Sequence, residues 1–304
     1  MRLSLVALLA PVLVVAGAGG WRSAAPVPVA RTEVVAARLG DGEIAVVGGY
    51  LPSGANSARA DAYSPQTNRW RRLPSLPVTV DHAAASSYRG SVYVAGGYGA
   101  DRRPLRTLFV FRRRAWRSLP PMPEGRGAAA AAVAANTLYV IGGIGPSGLA
   151  DRAFAFDLRR RRWSVIPSPT PREHLAAAAY GGRLYAVAGR TGMRGNLDVF
   201  EVYAPRQRRW TSLPDVPEPR GGTGAATVAG RIVSVGGEEA GGTIRSVYAY
   251  DVASRRWARL PDLKTPRHGL GVVAFRGRVY AIAGGPAPGL HVSAANEYLV
   301  VPKG

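Results

Sequence analysis

A chain of 304 residues, 47% hydrophobic, with 38 glycines and 24 prolines, has the apolar content for a sizeable core and too many backbone breakers for long helices. It has no cysteine, which excludes disulfides, thiolate-bound metals and thiol catalysis together. Its formal charge of +21 comes from 38 Arg and 2 Lys against 19 acids, so anionic partners are favoured.

In chain order, the first segment has Arg2, an apolar run from Leu3 to Ala18, and the small residues Ala16-Gly17-Ala18. That pattern predicts a signal peptide over 1–18 and a secreted, extracytoplasmic destination for residues 19–304. Pro11 and the shortness of the run argue against a retained membrane anchor.

From Gly48 onward the chain repeats. Alternating apolar runs end in Gly48-Gly49, Gly96-Gly97, Gly142-Gly143 and Gly236-Gly237, with Ala188-Gly189 and Ala283-Gly284 in the same role. These pairs recur at a nearly fixed period. Trp70, Trp116, Trp163, Trp210 and Trp257 follow five of them at an almost constant interval, and Tyr63, Phe109, Phe156, Tyr203 and Tyr250 stand seven before those tryptophans. Each unit reads as four short strands. Double glycine followed by an aromatic and a tryptophan, at a period near fifty, resembles the kelch repeat.

The resemblance implies an all-β, six-bladed kelch-type propeller of four antiparallel strands per blade, similar to exported bacterial kelch-like proteins. Trp21 stands ahead of Gly48 much as Trp70 stands ahead of Gly96 and Trp116 ahead of Gly142, while no tryptophan follows Tyr298. The N-terminal strand around Trp21 is therefore expected to complete the last blade and remove a free edge. Gly- and Ala-rich segments such as 127–133 fit innermost strands crowded around an axis.

Two sets of arginines stand out. One surrounds the tryptophans: Arg69, Arg71 and Arg72; Arg112 to Arg114 and Arg117; Arg159 to Arg162; Arg206, Arg208 and Arg209; Arg255, Arg256 and Arg259. These fall in the turns between third and fourth strands and should form a basic collar. The other keeps a fixed place ahead of the glycine pairs, as Arg126 does ahead of Gly142: Arg31, Arg126, Arg172, Arg220 and Arg267, with Val80 in the second blade. In kelch propellers that loop borders the usual binding face, so the resemblance implies a ligand-binding ring, joined by Arg190.

Other chemistry is sparse. His82, His174 and His268 recur in alternate blades and three imidazoles could meet a metal at the axis in principle, but loop histidines more often hydrogen-bond locally, and no metal or cofactor is expected. Glu238 and Glu239 follow a glycine pair at the mouth and are the candidate catalytic acids if the protein resembles the kelch-type N-acetylneuraminate mutarotase, an isomerase on acidic sugars. Galactose-oxidase-like chemistry is excluded by the missing cysteine. The favoured reading is a monomeric binding or scaffold module for an acidic protein, an anionic polysaccharide or a wall polymer. Peripheral contact with an anionic membrane surface fits the same charge, and nucleic acid is not the expected partner of an exported protein.

Overall fold

The computed structural model describes residues 13–14, 19–40, 42–192 and 195–302. Its blades are four-stranded antiparallel sheets around one axis, and no helix among the described residues is long and apolar enough to cross a membrane. The first blade runs from the innermost strand Val35–Leu39 through Glu43–Val47 and Ala60–Ser64 to the outermost strand Arg69–Arg72. Blades two to five repeat that order. The sixth has Gly271–Phe275, Arg278–Ile282 and Asn296–Val300, and Arg22–Ser23 supplies its outermost strand with Arg22 opposite Tyr298 and Ser23 opposite Glu297.

The N-terminal strand thus closes the ring, and the tryptophans show how. Each indole Nε1 donates to a carbonyl in the preceding blade: Trp70 to Ala25, Trp116 to Pro74, Trp163 to Pro120, Trp210 to Pro167, Trp257 to Pro214, and Trp21 to Pro261, all at 2.8 or 2.9 Å. Each such bond is worth about 0.5–1.5 kcal/mol net. Trp21 therefore makes the same inter-blade contact as the five internal tryptophans. Of the expected signal segment only Leu13–Val14 falls within the described residues, paired parallel to Ala258 and Arg259 beside the fifth blade.

Two aromatic positions differ from the sequence expectation. Trp116 pairs with Phe111, not Phe109, because the second blade's hairpin is two residues shorter than the others. In the last blade the register that sets Arg22 opposite Tyr298 carries Trp21 to Leu299, so Leu299 holds the place taken by Tyr63 in the first blade.

The glycine pairs are explained by close approach. The second residue of every pair donates its N–H to a backbone carbonyl of the next blade, at the position of the arginine column: Gly49 to Val80, Gly97 to Arg126, Gly143 to Arg172, Gly189 to Arg220, Gly237 to Arg267 and Gly284 to Arg31. A Cβ on Gly143 would stand 2.6 Å from the Gly127 oxygen, and Gly143 has φ +84°. Only glycine fits this second place without strain, whereas the first place also admits Ala188 and Ala283 at φ 51° and 57°. Crowding at the axis is equally direct, since a Cβ on Gly271 would lie 2.5 Å from that of Ala36.

Candidate functional site

The five arginines expected to ring the mouth as ligand contacts are instead clamps inside the wall. Arg31, Arg172, Arg220 and Arg267 are 0% exposed and Arg126 2%. While each backbone carbonyl takes the glycine N–H of the preceding blade, the guanidinium turns into its own blade. Arg172 donates to the carbonyls of Ala188 at 2.6 Å and Thr170 at 2.8 Å and pairs with Glu201 at 2.5 Å. Arg31 likewise reaches Asp61 at 2.7 Å, and Arg267 lies 3.6 Å from Glu297. Asp61, Glu201 and Glu297 occupy one repeat position; in the third and fifth blades it holds Phe154 and Tyr248, and Arg126 and Arg220 lie 4.5 and 5.1 Å over those rings. Where the second blade has Val80, the position holds Phe109, and both belong to one apolar cluster. Burial pulls the Arg31 and Arg220 guanidiniums down to about 10, against the pull of Asp61 and Glu218, so both remain charged at neutral pH.

The mouth itself is built from residues two places after the clamp position. Glu33, His82, Ala128, His174, Gly222 and Gly269 all have φ between 49° and 63°. They form a belt of backbone hydrogen bonds around the axis: His82 N–H donates to Glu33, Ala128 to His82, His174 to Ala128, Gly222 to His174 and Gly269 to Gly222 at 2.9–3.2 Å, and Val34 closes the ring onto Gly269. Beneath the belt is an axial cavity of about 130 Å³ lined by the small residues of the innermost strands.

Titratable side chains fill this belt. His82 Nδ1 is held by Asp81, and its Nε2 lies 3.3 Å from Glu33. His174 Nδ1 is 2.6 Å from Glu173, and its Nε2 is 3.2 Å from Arg190. Arg190, 27% exposed, also donates to Glu173 at 2.9 Å and to Glu238 at 2.5 Å. His268 Nδ1 sits 3.1 Å from Glu33 and 3.5 Å from Glu238. Further out, Arg102 bonds Asp81 at 3.0 Å and Tyr50, and covers the Tyr98 ring at 4.7 Å. Burial alone would raise the Glu33 carboxyl, but His82, His268 and His174 hold it well below the usual carboxylate range. The same contacts outweigh burial at His82 and His268 and keep both imidazoles above their ordinary value. Burial, with the charges of Glu173 and Asp81, lifts the Tyr98 hydroxyl to about 12.

The structure thus gathers His82, His174, His268, Arg190 and Glu238, while Glu239 is exposed on the small hairpin Glu238–Glu239/Gly242–Thr243. His268 stands one repeat position earlier than the other two histidines and reaches the belt through Glu33. Glu33, Asp81, Glu173 and Arg102 were missed in the sequence. Three of the four had a signal there: Glu33 lies two residues after the clamp column, and Asp81 and Glu173 one residue after it.

The opposite face is formed by the turns between first and second and between third and fourth strands. The arginine collar lies here, and among the described residues its ion pairs are confined to Arg71 with Glu43, Arg160 with Asp157 and Arg259 with Asp262. Seven arginines on this face, Arg89, Arg113, Arg114, Arg161, Arg208, Arg255 and Arg276, have φ between 46° and 65°. Asn68 holds the corresponding turn position in the first blade, and Asn or Gly is the residue that left-handed backbone favours. Arg113 and Arg114 form the two-residue loop of a hairpin whose usual occupants are Asn-Gly. That hairpin divides two grooves. One, of about 660 Å³ between the first two blades, is lined by Leu39, Arg71, Arg89, Phe111 and Arg112 to Arg114. The other, of about 490 Å³ between the second and third, is lined by Val110, Arg112, Arg113, Arg117, Leu158 and Arg161.

Comparison with known proteins agrees with this architecture. The chain matches the family described as KLHDC2/KLHL20/DRC7 Kelch-repeats domain over residues 34–215 and again over 82–285. A stretch of 91 residues is 31% identical to Kelch repeat and BTB domain-containing protein 12 of Danio rerio, covering 27% of this chain and 14% of that much longer protein.

Proposed function

The chain belongs to the kelch-repeat family, whose propellers generally bind protein partners, and from that premise we propose that it captures an acidic protein segment on its turn face. The observation that carries this reading is arginine at positive φ. An L-residue in the left-handed region costs roughly 1–2 kcal/mol, and seven arginines bear that cost on one face where glycine or asparagine would relieve it. Charge is kept there against conformational preference. The two grooves beside Arg112 to Arg114 combine guanidinium groups with apolar walls, which suits an acidic peptide carrying hydrophobic side chains better than a uniformly polar polysaccharide.

An Asp/Glu-rich peptide with interspersed Leu or Phe tests this directly. Binding should weaken steeply with salt, since the Debye length falls from about 10 Å at 0.1 M to about 3 Å at 1 M. Replacing Arg112, Arg113 and Arg114 together by Ser should lower affinity at least about tenfold. Unchanged affinity and salt slope in that variant, or equal binding of a polyanionic polysaccharide, would sink the reading. An extracytoplasmic setting is part of the proposal, supported by the apolar run Leu3–Ala18; N-terminal sequencing of exported protein should begin at Gly19, and a start at Met1 would refute cleavage.

A further inference from the structure

The geometry points to a divalent transition-metal site of the zinc type at the axial mouth, with His82 Nε2, His174 Nε2 and a Glu33 carboxylate oxygen as its protein ligands. It lies on the face opposite the arginine grooves, so it stands or falls independently of the proposed partner. One ligand atom from each of the three side chains lies within 4.8 Å of the others. Ligands about 2.0–2.1 Å from a tetrahedral zinc are about 3.4 Å apart, and the edge from His82 to Glu33 is already 3.3 Å.

Three further features single out this trio from an ordinary polar cluster. The first is orientation. Both histidines have Nδ1 fixed by a carboxylate, His82 by Asp81 and His174 by Glu173, which leaves Nε2 of each for the axis. A carboxylate behind each ligating imidazole is the arrangement that sets tautomer and raises ligand basicity in zinc sites. The second is the repeat. Of the six equivalent belt positions, three hold ligand-type side chains and the others are Ala128, Gly222 and Gly269, so the space at the axis is left to the three. The third is charge. Among the described residues Glu33, Asp81, Glu173 and Glu238 meet two arginines here, Arg102 and Arg190, so a divalent cation would offset carboxylate charge that these two guanidiniums leave unbalanced.

Arg190 is the built-in competitor, because its Nη2 is 3.2 Å from the His174 Nε2 that would ligate. Its other bonds, to Glu173 and Glu238, give it a resting place off the axis once an ion enters. With three protein ligands, one coordination position faces the solvent or the axial cavity, as in zinc sites that bind an exogenous group. The backbone belt joining Glu33, His82, Ala128 and His174 holds the ligands of three different blades in place beforehand.

The test is calorimetric titration of the purified protein with Zn²⁺ near neutral pH, with Co²⁺ absorption as a second reading of ligand type. One ion per chain is expected, together with a rise in melting temperature. His82→Asn and His174→Asn suit the left-handed backbone and shorten the side chain, and each should weaken binding at least about 100-fold. Asp81→Asn and Glu173→Gln should each cost about 10–100-fold through loss of the orienting carboxylate. These nearly isosteric changes carry the test if an Asn variant fails to fold. Arg190→Gln should strengthen binding, and His291→Asn, on an exposed loop outside the belt, should leave it unchanged. Absence of saturable binding, binding that survives both belt-histidine substitutions, or binding that disappears with His291 would overturn the assignment.

Discussion

Arg172 shows how a single side chain can be misread as a ligand contact. It is fully buried and satisfied by backbone carbonyls and Glu201, so its removal strands a carboxylate that is itself buried. Arg172→Ala should cost about 3–5 kcal/mol in denaturant unfolding. The second blade offers the repair, because Val80 and Phe109 fill the same two places with apolar contact. The double variant Arg172→Val/Glu201→Phe should recover more than half of that loss. A double variant no better than the single one would mean that the ion pair is not what the clamp position needs. The arginine column itself was legible as a recurrence at a fixed place ahead of each glycine pair, but the direction of the guanidinium was not. It is decided by what stands in the third strand of the same blade, Asp61, Glu201 and Glu297 or Phe154 and Tyr248, so only reading two columns of the repeat together would have revealed it. Likewise the belt histidines were visible in the sequence, whereas Glu33 drew no notice among ordinary loop residues.

At the scale of the hairpin, strand identity was readable because glycine pairs and tryptophans mark local backbone demands that recur in every blade. Turn length was less so: the missing two residues after Phe111 moved the aromatic partner of Trp116 without changing the apparent spacing. The same hairpin separates stability from function. Arg113→Asn/Arg114→Gly fits the left-handed turn better and should raise stability by about 1–2 kcal/mol. The same change should weaken the acidic peptide, since two guanidiniums leave the ridge between the grooves. A variant that is more stable and binds equally well would show that these arginines are only solvated turn residues.

For the whole molecule, closure by the N-terminal strand makes the first and last segments one structural unit. Trp21 is 5% exposed and joins the apolar cluster of the fifth and sixth blades, where its indole bond to Pro261 completes the circuit. Deleting residues 19–30 should expose the edge of Asn296–Val300 and the apolar surface under Trp21, giving aggregation or a markedly lower melting temperature. A truncated chain that melts like the parent would contradict closure. Closed in this way, the propeller has two unlike faces, a mouth dense in carboxylates and imidazoles and a turn face dense in arginine. The central claim is that the turn face is where a protein partner docks. Hydrogen–deuterium exchange of the propeller with and without the acidic peptide tests it most directly: the account predicts slowed exchange in the turns around residues 89–91, 111–117 and 157–162, and slowed exchange confined to the mouth loops around 50–56, 98–105, 190–192 and 238–243 would contradict it.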